Sequence, residues 1–100
     1  MLPIERLQKS NTKENLWIYI LSLLKKEKIY AWRFQSLFEK KFNFKPGRIT
    51  AYRVLYRLEK DGLVKSKMED RRRFYQITEK GKNELERAKN FYRAILKKLD

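Results

Sequence analysis

Residues 48–61, RITAYRVLYRLEKD, pass through Gly62 into LVKSK (63–67), and after a turn that ends in Arg71-Arg72-Arg73 the chain returns as FYQIT (74–78). The first stretch has a helical period. At about 100° per residue, Ala51, Val54, Leu55 and Leu58 fall within an arc of about 100° and must face a core. Thr50, Arg53, Arg57 and Lys60 gather on the opposite side, and Ile49, Tyr52 and Tyr56 complete the outward surface. Asp61-Gly62 closes the helix, because glycine tolerates the left-handed backbone common at that position. Leu63–Lys67 and Arg73–Ile77 then read as two strands joined by the polar turn Met68-Glu69-Asp70-Arg71. The pattern predicts a helix followed by a two-stranded β-wing.

Towards the N-terminus, a short helix and two longer ones precede this unit. Pro3–Lys9 reads as a short helix with Ile4 and Leu7 on one side, interrupted by Ser10-Asn11-Thr12. Asn11 and Glu14 have the spacing of a capping box, and Leu16, Ile20, Leu23 and Leu24 recur at helical intervals, so a helix is expected over about Thr12–Lys26. Glu27-Lys28-Ile29 forms a connector. From Tyr30, the positions Phe34, Leu37 and Phe38 mark a second amphipathic helix ending near Lys41, and Asn43–Gly47 makes the turn into residue 48.

Towards the C-terminus, Thr78 is placed to cap a last helix, with Glu79 in its first turn favouring the helix dipole. Along that helix Leu85, Ala88, Tyr92, Ile95 and Leu99 alternate three and four residues apart, broadened by Phe91 and Leu96. An apolar seam of that width needs a partner. The expected fold class is mainly α with a small β-wing (α+β). A winged helix-turn-helix domain with its N-terminal helix occupies 1–78, and a dimerisation helix occupies 79–100, within one compact unit.

The chain's 100 residues suit one domain with a small core. Lys and Arg number 26 against 12 Asp and Glu, a net charge of +14, and an excess of that size points to a polyanionic partner, nucleic acid by default. Hydrophobic residues make up 42%, which is enough for a packed interior and too many for a disordered basic tail. With no cysteine and no histidine there are no disulfides, thiol nucleophiles or ordinary zinc ligands, and no metal or cofactor is expected. The most apolar run, LWIYILSLL (16–24), is far short of the roughly 20 residues that cross a bilayer. MLPIERLQK has no secretory pattern, so a cytoplasmic location without a membrane partner is expected.

Enzymatic chemistry finds no support. The acidic pairs Glu59/Asp61, Glu69/Asp70 and Glu84/Glu86 sit among Lys and Arg and read as solvated surface ion pairs rather than acid–base catalysts. The three glycines stand alone, so no phosphate loop exists. The helix and wing, by contrast, carry donors in the order that duplex DNA requires, on a major-groove helix and on a hairpin near phosphates. Arg53 and Arg57 are candidates for guanine edges or phosphates, Thr50 and Tyr52 for the backbone, and Arg48 for the anion-favouring helix N-terminus. Side chains alternate along a strand, so Arg71, Arg72 and Arg73 cannot all point the same way. Tyr30 and Trp32, at the start of the second helix, serve either packing or the DNA backbone, while Trp17, between core positions, reads as packing.

Tyr52-x-x-Leu55-x-Arg57-Leu58-Glu59-x-Asp61-Gly62-Leu63-Val64, followed by Arg71-x-Arg73-Phe74-Tyr75-Gln76-Ile77-Thr78-Glu79-Lys80-Gly81, resembles the signature of PadR-like transcriptional regulators, over residues 14–87. The resemblance implies a homodimer whose C-terminal helices pack together and place two recognition helices in successive major grooves of a palindromic site. By position, Thr50, Tyr52 and Arg53 lie on the DNA-facing helix and Arg71–Arg73 in the wing. The chain departs from the family in two places: Ala31-Trp32 replaces its Gly-Tyr pair, and Arg53 and Tyr56 stand where it carries proline and lysine. Some members bind aromatic small molecules between subunits through an aromatic residue of the last helix, a role that here falls to Phe91 or Tyr92. The alternative is a winged-helix architectural or protein-interaction module whose charge gives only non-specific nucleic-acid affinity.

Overall fold

The computed structural model describes residues 1–100. Its elements run α1 (Pro3–Glu14), α2 (Leu16–Leu24), β1 (Ile29–Tyr30), a 3₁₀ turn (Ala31–Arg33), α3 (Phe34–Phe42), α4 (Arg48–Lys60), β2 (Val64–Glu69), β3 (Arg72–Ile77) and α5 (Glu79–Leu99). The sheet is antiparallel in the order β1-β3-β2. Fourteen buried apolar residues from α2, β1, α3, α4, α5 and the hairpin form one core. Ala51, Leu55 and Leu58 are buried as their angular positions predict, and Val54 is half-buried at the margin.

The turn between α3 and α4 is held by its own residues. Asn43 takes the left-handed conformation at φ 62°, as asparagine does more readily than most residues. Phe44 packs against Tyr19 and Phe38 at ring separations of 5.3 and 5.4 Å, and Gln35 donates to the Pro46 carbonyl at 2.9 Å. These contacts fix where α4 begins. At its other end the Leu63 N–H reaches the Leu58 carbonyl at 2.9 Å and the Gly62 N–H reaches Glu59 at 3.0 Å, a Schellman motif with Gly62 at φ 79°.

The start of α5 is locked against the end of α4. Thr78 Oγ1 accepts from the Gly81 N–H at 3.1 Å and donates to the Gly62 carbonyl at 2.7 Å, while Lys80 donates to the Asp61 carbonyl at 2.8 Å. Gly81 permits this approach, because a Cβ there would lie 2.1 Å from the Leu63 carbonyl oxygen. The expected cap at Thr78 is therefore formed, and the same side chain also ties two helices together.

Four expectations are corrected. First, α1 does not stop at Lys9 but continues to Glu14, and the break falls at Asn15. Asn11 and Thr12 stay helical because their side chains are bonded in ways a helix allows. Thr12 Oγ1 donates back to Lys9 at 3.0 Å, and Asn11 bonds Tyr19 at 2.6 Å and accepts from Tyr92 at 3.0 Å. The Asn11/Glu14 capping box does not form, and Asn15, the residue before α2, makes no side-chain cap. Second, the segment from Tyr30 is not yet the second helix. Ile29 and Tyr30 pair with Tyr75 and Phe74 as a third strand, and α3 starts only at Phe34 after the 3₁₀ turn. Third, the wing turn is Asp70-Arg71 alone, both at positive φ (50° and 65°), with Glu69 paired to Arg72. Backbone twist favours such two-residue turns between antiparallel strands, so the strands extend to meet it. Fourth, Leu85 is 1% exposed and belongs to the chain's own core, so it is not available to a second subunit.

Candidate nucleic-acid interface

The residues of α4 that turn away from the core face solvent: Arg48, Ile49, Thr50, Tyr52, Arg53, Tyr56, Arg57 and Lys60 are all exposed. Ala51 on the inner arc anchors this face at 1% exposure. No side chain caps the N-terminus of α4, where Gly47 leads into Arg48, so the first-turn N–H groups keep their partial positive charge beside that guanidinium. Tyr52, Arg53 and Arg57 also line an open groove of about 950 Å³ that runs back to Trp17 and Leu58. Trp17 is half-buried against the core, as its packing role requires.

Wing side chains divide by alternation. Cross-strand partners share a face, so Lys65, Lys67 and Arg72 lie on the outer side with Phe74 and Gln76. Ser66, Met68, Arg73 and Tyr75 lie on the other face, towards α4, and Arg71 occupies the tip. The three arginines therefore spread around the hairpin, as strand geometry demands. Lys65 and Lys67, not singled out in the sequence, join the cationic set. Their signal was the alternation in LVKSK.

Charge pairing is unequal across the molecule. Six ion pairs engage Lys25, Lys28, Arg33, Lys82, Arg87 and Lys89. None engages Arg48, Arg53, Arg57, Lys60, Lys65, Lys67 or Arg71–Arg73. Lysines and arginines elsewhere, among them Lys9, Lys13, Lys40, Lys41, Lys97 and Lys98, are unpaired too, but on α4 and the wing, which adjoin, every cation is left without an acid. The pairs at Glu69, Glu84 and Glu86 are the surface ion pairs expected, but Glu59 is not one of them. It is half-buried, accepts from the Ser66 N–H at 3.1 Å and from Ser66 Oγ at 2.7 Å, and makes no salt bridge. Arg73 donates in turn to Ser66 Oγ at 2.7 Å.

Tyr30 and Trp32, read as neighbours opening one helix, are parted by the structure. Tyr30 lies on the sheet, its ring edge on Phe74 at 5.8 Å and its hydroxyl donating to Glu69 at 3.0 Å. That bond raises the Tyr30 pKa and is the leading cause of the lowered pKa of Glu69, which Lys28 lowers further. Trp32, in the 3₁₀ turn before α3, is 62% exposed. On α5, Ala88 is half-buried, while Phe91, Tyr92, Ile95, Leu96 and Leu99 are 37–77% exposed. In α1, Ile4 and Leu7 are exposed too, and no α1 residue is buried. No three acidic side chains converge as a metal site, and no helix is long and apolar enough to cross a membrane.

A helix-turn-helix (α3, α4) followed directly by a β-hairpin, with unpaired cations along its second helix and its hairpin, defines a winged helix-turn-helix protein. The transcriptional regulator PadR-like family matches residues 20–87, and the chain belongs to that family. A PadR family transcription regulator from hypervirulent Clostridium difficile is 30% identical, with 81% of this chain and 90% of that chain covered at a TM-score of 0.74. A transcriptional regulator from Clostridium thermocellum is 26% identical over 88% of this chain and 92% of that one, at 0.79. Bacillus subtilis PadR in complex with operator DNA is 23% identical over 71% of this chain and 43% of its own, at 0.62, and shares the fold. No curated protein sequence matches the chain. The family is one of transcriptional regulators, in keeping with the absence of an enzymatic reading.

Proposed function

We propose that the protein is a sequence-specific repressor that binds duplex DNA as a homodimer. α4 enters the major groove, and the hairpin lies on the backbone or in the minor groove. The observation that supports this most is the run of unpaired cations on two adjoining elements: no acid forms a salt bridge with any cation of α4 or the wing, so Arg48, Arg53, Arg57 and Arg71–Arg73 are left to a polyanion. The operator complex of the Bacillus subtilis relative, which has the same fold, agrees with it.

The homodimer reading rests on the free apolar seam of α5 from Ala88 and Phe91 onward, with the exposed Ile4 and Leu7 of α1 as additional surface. A contiguous apolar surface of this kind marks an interaction site. Two-fold symmetry would then place two α4 helices about one turn of duplex apart.

Selection of bound fragments from random duplex DNA tests the reading. An enriched palindrome is expected, with a log–log salt slope near −0.9 per phosphate contact, roughly −6 to −9 for a dimer. A flat selection at moderate salt would instead identify an architectural module with non-specific affinity.

A further inference from the structure

We propose that Glu59 is a positioning residue that, through Ser66, aims Arg73 and the wing relative to the recognition helix. The inference deepens the DNA-binding reading and rests on it.

The chemistry of the three groups is directional. A hydroxyl has one proton and two lone pairs. The Ser66 proton goes to Glu59 Oε2 at 2.7 Å, which leaves the oxygen's lone pairs to Arg73 Nη1 at 2.7 Å. The same carboxylate oxygen takes the Ser66 N–H at 3.1 Å, on the edge strand of the sheet. Thus one half-buried acid of α4 holds both the main chain and the side chain of β2, and through them a guanidinium of β3. No other polar side chain of α4 makes a hydrogen bond to the hairpin.

Arg73 differs from its two neighbours in consequence. Arg71 and Arg72 have no side-chain partner, whereas Arg73 is fixed on the face towards α4 with its other N–H donors free. A guanidinium already ordered loses less conformational freedom when it meets a phosphate than one sweeping through solvent. Glu59 thereby acts on DNA without touching it.

Four measurements test this on the full-length protein: Ser66 amide exchange, the Arg73 Nε–H signal, DNA affinity, and footprints on a selected duplex. In the protein without DNA, Glu59→Ala is expected to speed Ser66 amide exchange about ten-fold or more and to collapse the Arg73 signal to the position of free arginine. Glu59→Gln, which keeps an acceptor, restores part of both. On DNA, backbone protection under the wing is lost while guanine protection under α4 remains. Adding Glu59→Ala to Arg73→Ala costs no further affinity, as groups acting through one another are non-additive. Unchanged Ser66 exchange and Arg73 signal overturn the proposal. So do additive losses of affinity, or proportionate weakening of both footprints, which would make Glu59 a cap that serves stability alone. A wild-type protein that selects no duplex removes the DNA-binding reading, and the two DNA-free measurements still decide whether the clamp exists.

Discussion

α4 and the distal half of α5 carry nearly the same pattern, apolar residues three and four apart among lysines and arginines, yet their apolar faces meet opposite fates. In α4 the stripe is closed: Ala51, Leu55 and Leu58 are 0–4% exposed and the cations look outward. In α5 the stripe is closed only to Leu85, and from Phe91 to Leu99 it lies open. Periodicity fixes which residues share a face. It does not say whether the surface that covers them belongs to the same chain.

The largest effect should come from making the same substitution on both sides of that divide. Leu85→Ala is expected to cost about 2–5 kcal/mol of stability, because it empties a site with no other occupant. Leu99→Ala removes the same atoms from a residue 77% exposed within the subunit, and should shift stability by about 0.5 kcal/mol or less when subunits are dilute. Denaturant unfolding over a range of protein concentrations separates them. The Leu85→Ala loss should persist at every concentration, and the Leu99→Ala loss should grow as subunits associate. Equal losses throughout would erase the distinction between the two stretches. Sedimentation of Ile95→Ser/Leu99→Ser should show monomers, and persistent dimers would move the interface elsewhere.

Next in size is a substitution on the closed helix's outer face. Arg53→Ala should cost about 1–3 kcal/mol of DNA affinity and relax sequence preference at one position, if the guanidinium reads a base. Melting temperature and sedimentation should not move. Unchanged binding at every sequence would mean that α4 is not the reading helix. Paired with the α5 variants, it asks whether one helix serves the nucleic acid and the other the subunit contact.

Much of this was legible because local and tertiary demands agree. In α4 the apolar arc, the Gly62 stop and the following strands all point to one structure, and its boundary fell within a residue of expectation. Thr78 was legible for the same reason. The misreadings arose where a distant residue decided the outcome. Asn11 looks like a helix start because asparagine competes for its own backbone, but Tyr19 and Tyr92 occupy its side chain from eight and 81 residues away. Ile29-Tyr30 is too short for a period of two to register, and only β3 makes it a strand. Glu59 read as solvated among cations, because nothing local shows that the chain brings Ser66 back beneath it.

A smaller effect of mixed sign is expected at the wing tip. Arg71 sits at φ 65°, a conformation that costs a non-glycine residue about 1 kcal/mol or more. Arg71→Gly should therefore raise stability by up to about 1 kcal/mol while reducing the salt slope by about 0.9, if the side chain meets one phosphate. Gain without any change in slope would mean that the tip does not touch DNA. Strain retained at an exposed cationic tip is what a functional position would show.

The smallest effect is electrostatic and sets the wing against the helical body. Glu69 has its pKa lowered, first by the Tyr30 hydrogen bond and then by Lys28. A lowered folded-state value means that its contribution is complete above the ordinary carboxylate range and is lost as the pH falls through the lowered value. Tyr30 is raised by the same bond, so its contribution is complete below the ordinary phenol range and fades as the pH climbs through the raised value. The tether between β1 and the wing should thus hold steady across neutral pH and loosen at both extremes, only weakly, since both groups are in solvent. Global melting cannot isolate it. Glu86, lowered first by its bond to Lys89 and then by Lys25, adds an acid limb of the same sign where α5 meets α2. Amide exchange in β2 and β3 reads the wing alone, and in Glu69→Gln its acid limb should flatten while the limb seen by α5 amides stays. An acid limb that survives in the wing amides of that variant would place the titrating group outside the Tyr30–Glu69–Lys28 cluster.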